Sequence, residues 1–198
     1  CPYTADKARI VVQEMIDGIS LELVEKRLVT DQLVLTVGYD IENLTRPEIR
    51  KVYKGPVTTD RYGRRVPKHA HGTWNLSRAT SSSSELLEAM AALYDKIVNP
   101  ALLIRRMSLS ACHVVNEKMA KEREQKETFE QLDLFTDYAK KEAKEKEEQK
   151  KRERERRMQE ALLTIKKKYG KNAVLRGMNF EEGATAKERN GQIGGHQA

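Results

Sequence analysis

Gln32-Leu33-Val34-Leu35-Thr36-Val37-Gly38-Tyr39 is the stretch on which the fold turns. Leu33, Leu35, Val37 and Tyr39 alternate with Gln32, Val34, Thr36 and Gly38, the period of two shown by a strand with one buried face. Such a strand needs an apolar cover, and the residues before it supply one. Ala8, Ile10, Val11, Met15, Ile16, Ile19, Leu21 and Leu23 or Val24 recur at helical spacing, and Thr4 stands where an N-cap would. A helix is therefore predicted from about Ala5 to Arg27. Downstream, His69 to Thr80 is a second predicted strand, with Gly72, Trp74 and Leu76 to one side and His71, Thr73, Asn75 and Ser77 to the other. Ser81 to Ser84 cap a second helix, whose Leu86, Leu87, Met90, Leu93 and Ile97 form one stripe before Asn99-Pro100 stops it. A third strand, Leu103 to Val115, sets Leu103, Met107, Leu109 and Ala111 on a shared face. The order helix, strand, strand, helix, strand gives an α+β fold, a sheet with both helices packed on one face.

The other face of that sheet is left free. It would carry Thr36 and Gly38, then Thr73, Asn75 and Ser77, then Arg106, Ser108 and Ser110. Small hydrogen-bonding groups with an arginine suit phosphate oxygens and carry little base information; an ordinary solvated sheet face has a similar composition. Between the first two strands, Arg46, Arg50, Lys51, Lys54, Arg61, Arg64, Arg65 and Lys68 make a basic loop opposed only by Glu48 and Asp60, with a turn at Asp60 to Gly63.

Charged residues make up 34% of the chain and mean hydropathy is -0.72, too polar for 198 residues in one packed globule, so part of the chain is expected to be solvated. The net charge of +7 is unevenly spread: residues 1–116 hold 16 Lys/Arg against 13 Asp/Glu, 117–160 hold 14 against 14, and 161–198 hold 7 against 3. The balanced middle, Ala139 to Arg157, lacks an apolar heptad and is predicted to be a solvated single helix. Met158, Leu162, Ile165 and Tyr169 form a last amphipathic stripe ending at Gly170, and Gly183, Gly191, Gly194 and Gly195 predict an extended or disordered end. The first residue, Cys1, reads as the start of a fragment with further elements before it. Two distant cysteines give no disulfide framework, and neither a spanning apolar run nor a signal peptide is present, so a cytoplasmic protein is expected.

Few residues invite chemistry. Asp40 and Glu42 close a strand without a second acidic strand beside them; His69 and His71 lack a third metal ligand; Cys112 is expected to pack. No Walker motif or Ser/His/Asp arrangement occurs.

Ile104-Arg105-Arg106-Met107-Ser108-Leu109-Ser110 resembles the last strand of the little-finger domain of bacterial Y-family (UmuC/DinB-like) translesion DNA polymerases, where an I-R-R/L-I/L-G-V pattern sets basic side chains against DNA phosphates. Leu33 to Tyr39 is similar to that domain's strand V-T-L-K-I-R-Y. Gly72-Thr73 through Thr80-Ser81-Ser82, with the helix at Ser84, is similar to its strand-to-helix passage. Cys1-Pro2-Tyr3-Thr4 resembles the end of its first strand. The resemblance covers roughly Cys1 to Val115 and implies a little-finger domain over 1–116, with its first strand largely before residue 1. The implied DNA contacts are Thr36, Gly38, Arg61, Arg64, Arg65, Thr73, Asn75, Arg78, Arg105, Arg106, Ser108 and Ser110. Where the family often has Lys and Arg on the second strand, this chain has Thr36 and Gly38, so grip there is expected to be weaker, with the basic loop compensating.

Gln131-Leu132-Asp133-Leu134-Phe135 resembles the bacterial sliding-clamp-binding pentapeptide, usually Q-L-S/D-L-F. Leu134 and Phe135 would fill an apolar pocket, Leu132 would add contact and Gln131 would hydrogen-bond beside them. On the residues alone, Phe129, Leu132, Leu134, Phe135 and Tyr138 would equally make an apolar patch on a helix that docks back on the core. The resemblance implies a charged linker over 117–157 carrying this peptide and a third segment over 158–198. The implied partners are primer-template DNA and the sliding clamp (the β subunit of DNA polymerase III), in a nucleoid-associated location with no membrane. It implies no cofactor in this chain: the Mg²⁺ of polymerase chemistry belongs to a palm preceding it, so this region alone is expected to be inactive. A different class remains open, a basic RNA- or ribosome-associated adaptor with the charged helix as spacer; so does a structural protein assembling through that helix. Arg176 to Phe180 and Arg189 to His196 resemble the tails of some polymerases of this group.

Overall fold

A computed structural model describes the backbone of residues 2–130, 138–193 and 196–197, and the side chains of 2–123 and 146–192. The fold is α+β. Strand β1 (Leu28–Tyr39) is central, with β4 (Ala70–Thr80) antiparallel on one side and β5 (Ile104–Cys112) antiparallel on the other. The register sets Leu33 opposite Trp74 and Ala111, and Leu35 opposite Gly72 and Leu109. Those residues therefore share the face on which α1 (Ala5–Lys26) and α4 (Ser83–Ile97) lie, and Leu33, Leu35, Val37, Ala8, Val12, Ile16, Leu86, Met90 and Leu93 form one buried core. Gly72 permits the close approach of α4, since a Cβ there would lie 2.8 Å from Ile97 Cγ2 and 2.9 Å from Leu93 Cδ1.

Element boundaries differ from the expectation where alternation breaks. β1 begins at Leu28, four residues before Gln32, because a bulge between Thr30 and Gln32 puts Val29 and Thr30 both inside and erases the period of two. The third strand stops at Cys112; His113 takes a left-handed φ of 51°, and the chain resumes as β6 (Val115–Asn116), paired with Leu28 and Val29. Thr4 occupies the N-cap position of α1, but its side chain makes no cap bond; the helix ends at Lys26, one residue before Arg27, which has φ 53°. Ser82 does cap α4, accepting from Glu85 N at 3.3 Å. The expected loop from Arg46 to Lys68 is structured: α2 (Glu42–Thr45) precedes α3 (Pro47–Val52), and a hairpin follows, β2 (Val57–Thr59) and β3 (Arg65–Pro67). Tyr3 pairs with Ile104 on the outer side of β5, at 2.8 and 2.7 Å.

The corner after β1 is held by Asn43, whose amide nitrogen donates to Asp40 O (2.9 Å) and Leu103 O (2.8 Å) while its oxygen accepts from Leu103 N (2.7 Å). The side chain is fully buried. Asn43→Ala would strand these groups away from water, and a loss of about 2–4 kcal/mol is expected in urea unfolding. Asn43→Asp keeps the acceptor for Leu103 N but sets a buried carboxylate against the Asp40 and Leu103 carbonyls, so it should destabilise at least as much.

The C-terminal half is less solvated and less extended than its composition predicts. α5 (Glu117–Glu130) leaves the core and α6 (Tyr138–Tyr169) returns to it, but α6 is not a solvated helix throughout. Its face at Arg152, Glu155, Arg156 and Gln159 docks on the start of α4: Glu155 accepts from Ser82 Oγ (2.7 Å), Ser84 N (2.8 Å) and Ser84 Oγ (2.9 Å), and Arg156 pairs with Glu117 at 3.2 Å. Gln159 is buried and donates to Ser81 O (3.1 Å) and Ser83 Oγ (3.0 Å), while Ser83 also meets Ser20 of α1 at 2.6 Å. Met158, Ile165 and Tyr169 of the expected apolar stripe are exposed instead. A contact surface built from polar groups leaves no hydropathy signal. At the end of the chain, residues 171–190 fold back over α1 rather than extending. Their short elements are a 3₁₀ turn (Gly177–Phe180) and α7 (Ala186–Arg189), and their anchor is Glu14, a fully buried side chain on α1. It accepts from Asn179 Nδ2 (2.9 Å), Thr185 N (2.9 Å), Thr185 Oγ1 (3.2 Å) and Arg189 Nη2 (3.1 Å). Arg176 adds an ion pair to Asp17 at 2.8 Å. The broad apolar girth of α1 follows: Ile16 faces the core while Val11 and Glu14 are buried outside that core cluster. Two-residue strands β7 (Gln192–Ile193) and β8 (His196–Gln197) pair beyond α7.

Docking of α6 carries a pH dependence. Burial pushes the Glu155 carboxyl up, but the hydroxyls of Ser82 and Ser84 and the Ser84 N–H outweigh it and hold it below the ordinary glutamate range. A depressed carboxyl contributes its stabilisation above the unfolded value, about 4.3, and loses it as pH falls through the folded value. Trp74, the only tryptophan, lines a groove with Arg152 and Glu155, so its fluorescence reports the docking. A transition below about pH 4.3 is expected, and Glu155→Gln should remove it.

Candidate nucleic-acid interface

Away from the helices, the sheet presents Gln32, Val34, Thr36 and Gly38 on β1, His71, Thr73, Asn75 and Ser77 on β4, and Arg106, Ser108 and Ser110 on β5. Seven of the expected contact residues are thus brought onto one face: Thr36, Gly38, Thr73, Asn75, Arg106, Ser108 and Ser110. Thr36 shares a 2.9 Å hydrogen bond with His71 Nδ1, and Gln32 Nε2 donates to Asn75 Oδ1 at 2.9 Å. Gly38 is not forced by crowding, as a Cβ there would sit 3.7 Å from Arg106. Cys112 lies opposite Gln32 and so flanks this polar face half-buried, rather than packing inside.

The basic end of the face is made by a bulge. Gly38 pairs with Arg106 and Tyr39 with Ile104, which leaves Arg105 as the extra residue in β5. Two consecutive arginines are thereby both exposed, where a regular strand would turn one inward. Arg105 lies 3.8 Å from the buried Asp40, whose other oxygen accepts from Glu42 N at 2.8 Å. Asp40 thus caps the α2 turn and Glu42 pairs with Arg46, so these carboxylates do not fit a Mg²⁺ site. Among the described residues no group of three His, Cys, Asp or Glu side chains is gathered as metal ligands would be.

The hairpin of β2 and β3 joins the same end of the sheet, with β3 against β1 and α2. Arg61, Arg64 and Arg65 are all exposed on it. Arg64 is bound to Asp60 at 2.7 Å, and the Asp60 carboxyl is held below its ordinary value chiefly by the Arg64 N–H. The expected turn at Asp60 to Gly63 forms, with Gly63 at φ 77°. At its tip Tyr62 stands out, with the Arg61 and Arg64 guanidinium carbons 4.7 and 5.1 Å from its ring centroid. Exposed contacts of this kind are weak, and they leave the ring accessible. Tyr62 is missing from the expected contacts, although an aromatic between arginines in a turn was visible in the sequence.

Arg78 is not on this interface. It follows Gly72, Trp74 and Leu76 on the helix side of β4 and pairs with Glu85 of α4, because the parity of the strand turns it away from the open face. Gln131, Leu132, Asp133, Leu134 and Phe135 lie outside the described residues. No protein-family model matches this chain, and no curated protein matches it. Among the described residues, no helix is long and apolar enough to cross a membrane.

Proposed function

We propose that this chain is the DNA-gripping and clamp-tethering region of a Y-family translesion DNA polymerase, acting on primer-template DNA in the cytoplasm at the nucleoid. The observation that carries the reading is the open sheet face: small hydrogen-bonding groups along its length, ended by the Arg105–Arg106 bulge and the basic hairpin. Neutral donors with a few arginines hold a phosphate backbone without selecting a sequence. In this reading the grip is weak by design, and Gln131 to Phe135 recruits the sliding clamp, which raises the effective concentration of DNA at the sheet. Polymerase metal ions would be held by another part of the protein, since Asp40 and Glu42 are engaged in the corner. A direct test compares binding of the chain to primer-template DNA and to structured RNA at equal salt. Preference for DNA, or parity, with retention on an immobilised sliding clamp supports the reading. A strong preference for RNA without clamp retention replaces it with an RNA-associated adaptor.

A further inference from the structure

We propose that the hairpin of β2 and β3 is a base-stacking finger, with Tyr62 taking an unpaired nucleobase of single-stranded DNA next to the duplex held by the sheet. It rests on the DNA-binding reading above. The hairpin stands clear of the core: every residue of β2 is exposed, and only Val66 and Pro67 of β3 find cover. A two-stranded ribbon covered only at its base has little stability of its own. Its shape is instead fastened at both ends by polar contacts. At the tip, Asp60 accepts from Tyr62 N (2.9 Å), Arg64 N (2.9 Å) and Arg64 Nε (2.8 Å). At the base, Pro56 O accepts from Lys68 N (2.8 Å) and Tyr53 Oη (2.7 Å).

What this scaffold holds out is an aromatic ring, 65% exposed, about 13 Å along the ribbon from the buried Pro67. The surroundings select its ligand. Arg61, Arg64, Arg65 and Lys68 make the ribbon unsuited to an apolar protein surface and suited to phosphates, while the ring adds the π-face on which a base stacks. A base cannot reach that ring from inside a duplex, so the partner is single-stranded. The guanidinium contacts with Tyr62 are exposed, so a stacked base displaces them readily or adds to them on the free face.

The test uses the full chain, a blunt duplex and the same duplex with a 5′ single-stranded overhang carrying 2-aminopurine. Tyr62→Ala should bind the overhang DNA roughly tenfold more weakly and lose the quenching of 2-aminopurine, while blunt-duplex affinity and the salt slope stay as in the wild type. Tyr62→Phe should retain both, since the ring and not the hydroxyl stacks. Wild-type affinity and quenching in Tyr62→Ala, or an equal loss on both DNAs, overturns the finger and leaves the sheet's role standing. Failure of the wild-type chain to bind either DNA overturns the DNA-binding reading and the finger with it.

Discussion

Glu14→Ala is expected to free residues 176–190 from α1 while leaving the sheet and its register in place. The wild-type carboxylate is wholly buried and satisfies four donors from the tail, Arg189 among them. Burial pushes this carboxyl up, but the donors of Asn179, Thr185 and Ala186 and the Arg189 charge outweigh it and hold it below the ordinary glutamate range. Removing one partner of a buried pair costs about 3–5 kcal/mol when the other stays buried. Arg189 is 37% exposed and regains water once the tail lifts, so the expected loss is nearer about 2–3 kcal/mol and falls on the tail rather than the whole fold. Hydrogen exchange is the measurement: protection should disappear over 176–190 and persist in β1 and α4. Glu14→Gln keeps the shape without the charge and should give partial release. Protection unchanged in both variants would show that Glu14 does not anchor the tail.

Leu134→Ala combined with Phe135→Ala is expected to abolish retention on the sliding clamp, a loss of about 10²- to 10³-fold if both are buried anchors. On the proposed function the peptide lies in sequence between α5 and α6, two helices that meet each other where Glu117 pairs with Arg156 at 3.2 Å. On that reading a clamp bound to the peptide stays covalently tethered to the sheet, which favours an intramolecular second contact with DNA. DNA affinity measured without clamp should be unchanged in this variant. Surface plasmon resonance on immobilised clamp decides it, and wild-type retention by the double variant removes the peptide from the account.

The core and its open face were legible because apolar alternation fixes strand parity. Leu33, Leu35 and Val37 turn inward, so Thr36 and Gly38 must turn outward, and the partner strands follow in register. Parity also contradicts the inclusion of Arg78 among the contacts, since it shares the side of Gly72 and Trp74. What stayed hidden was held by polar groups distant in sequence. Gln159 meets Ser83 across 76 residues and Glu14 meets Arg189 across 175, and neither contact leaves a periodic trace. Asn43 is of the same kind, an amide in the short α2 helix whose value lies in three backbone partners. The sequence shows Arg105 and Arg106 as adjacent basic side chains, but only the bulge explains how neighbours in one strand are exposed together.

The sheet as a phosphate-gripping surface is tested most directly by the salt dependence of primer-template binding for the wild-type chain and for Arg105→Ala with Arg106→Ala. Loss of two phosphate contacts should weaken binding on every sequence alike and reduce the slope of log K against log salt by about 1.8. An unchanged slope in the double variant, with affinity intact, would contradict the account.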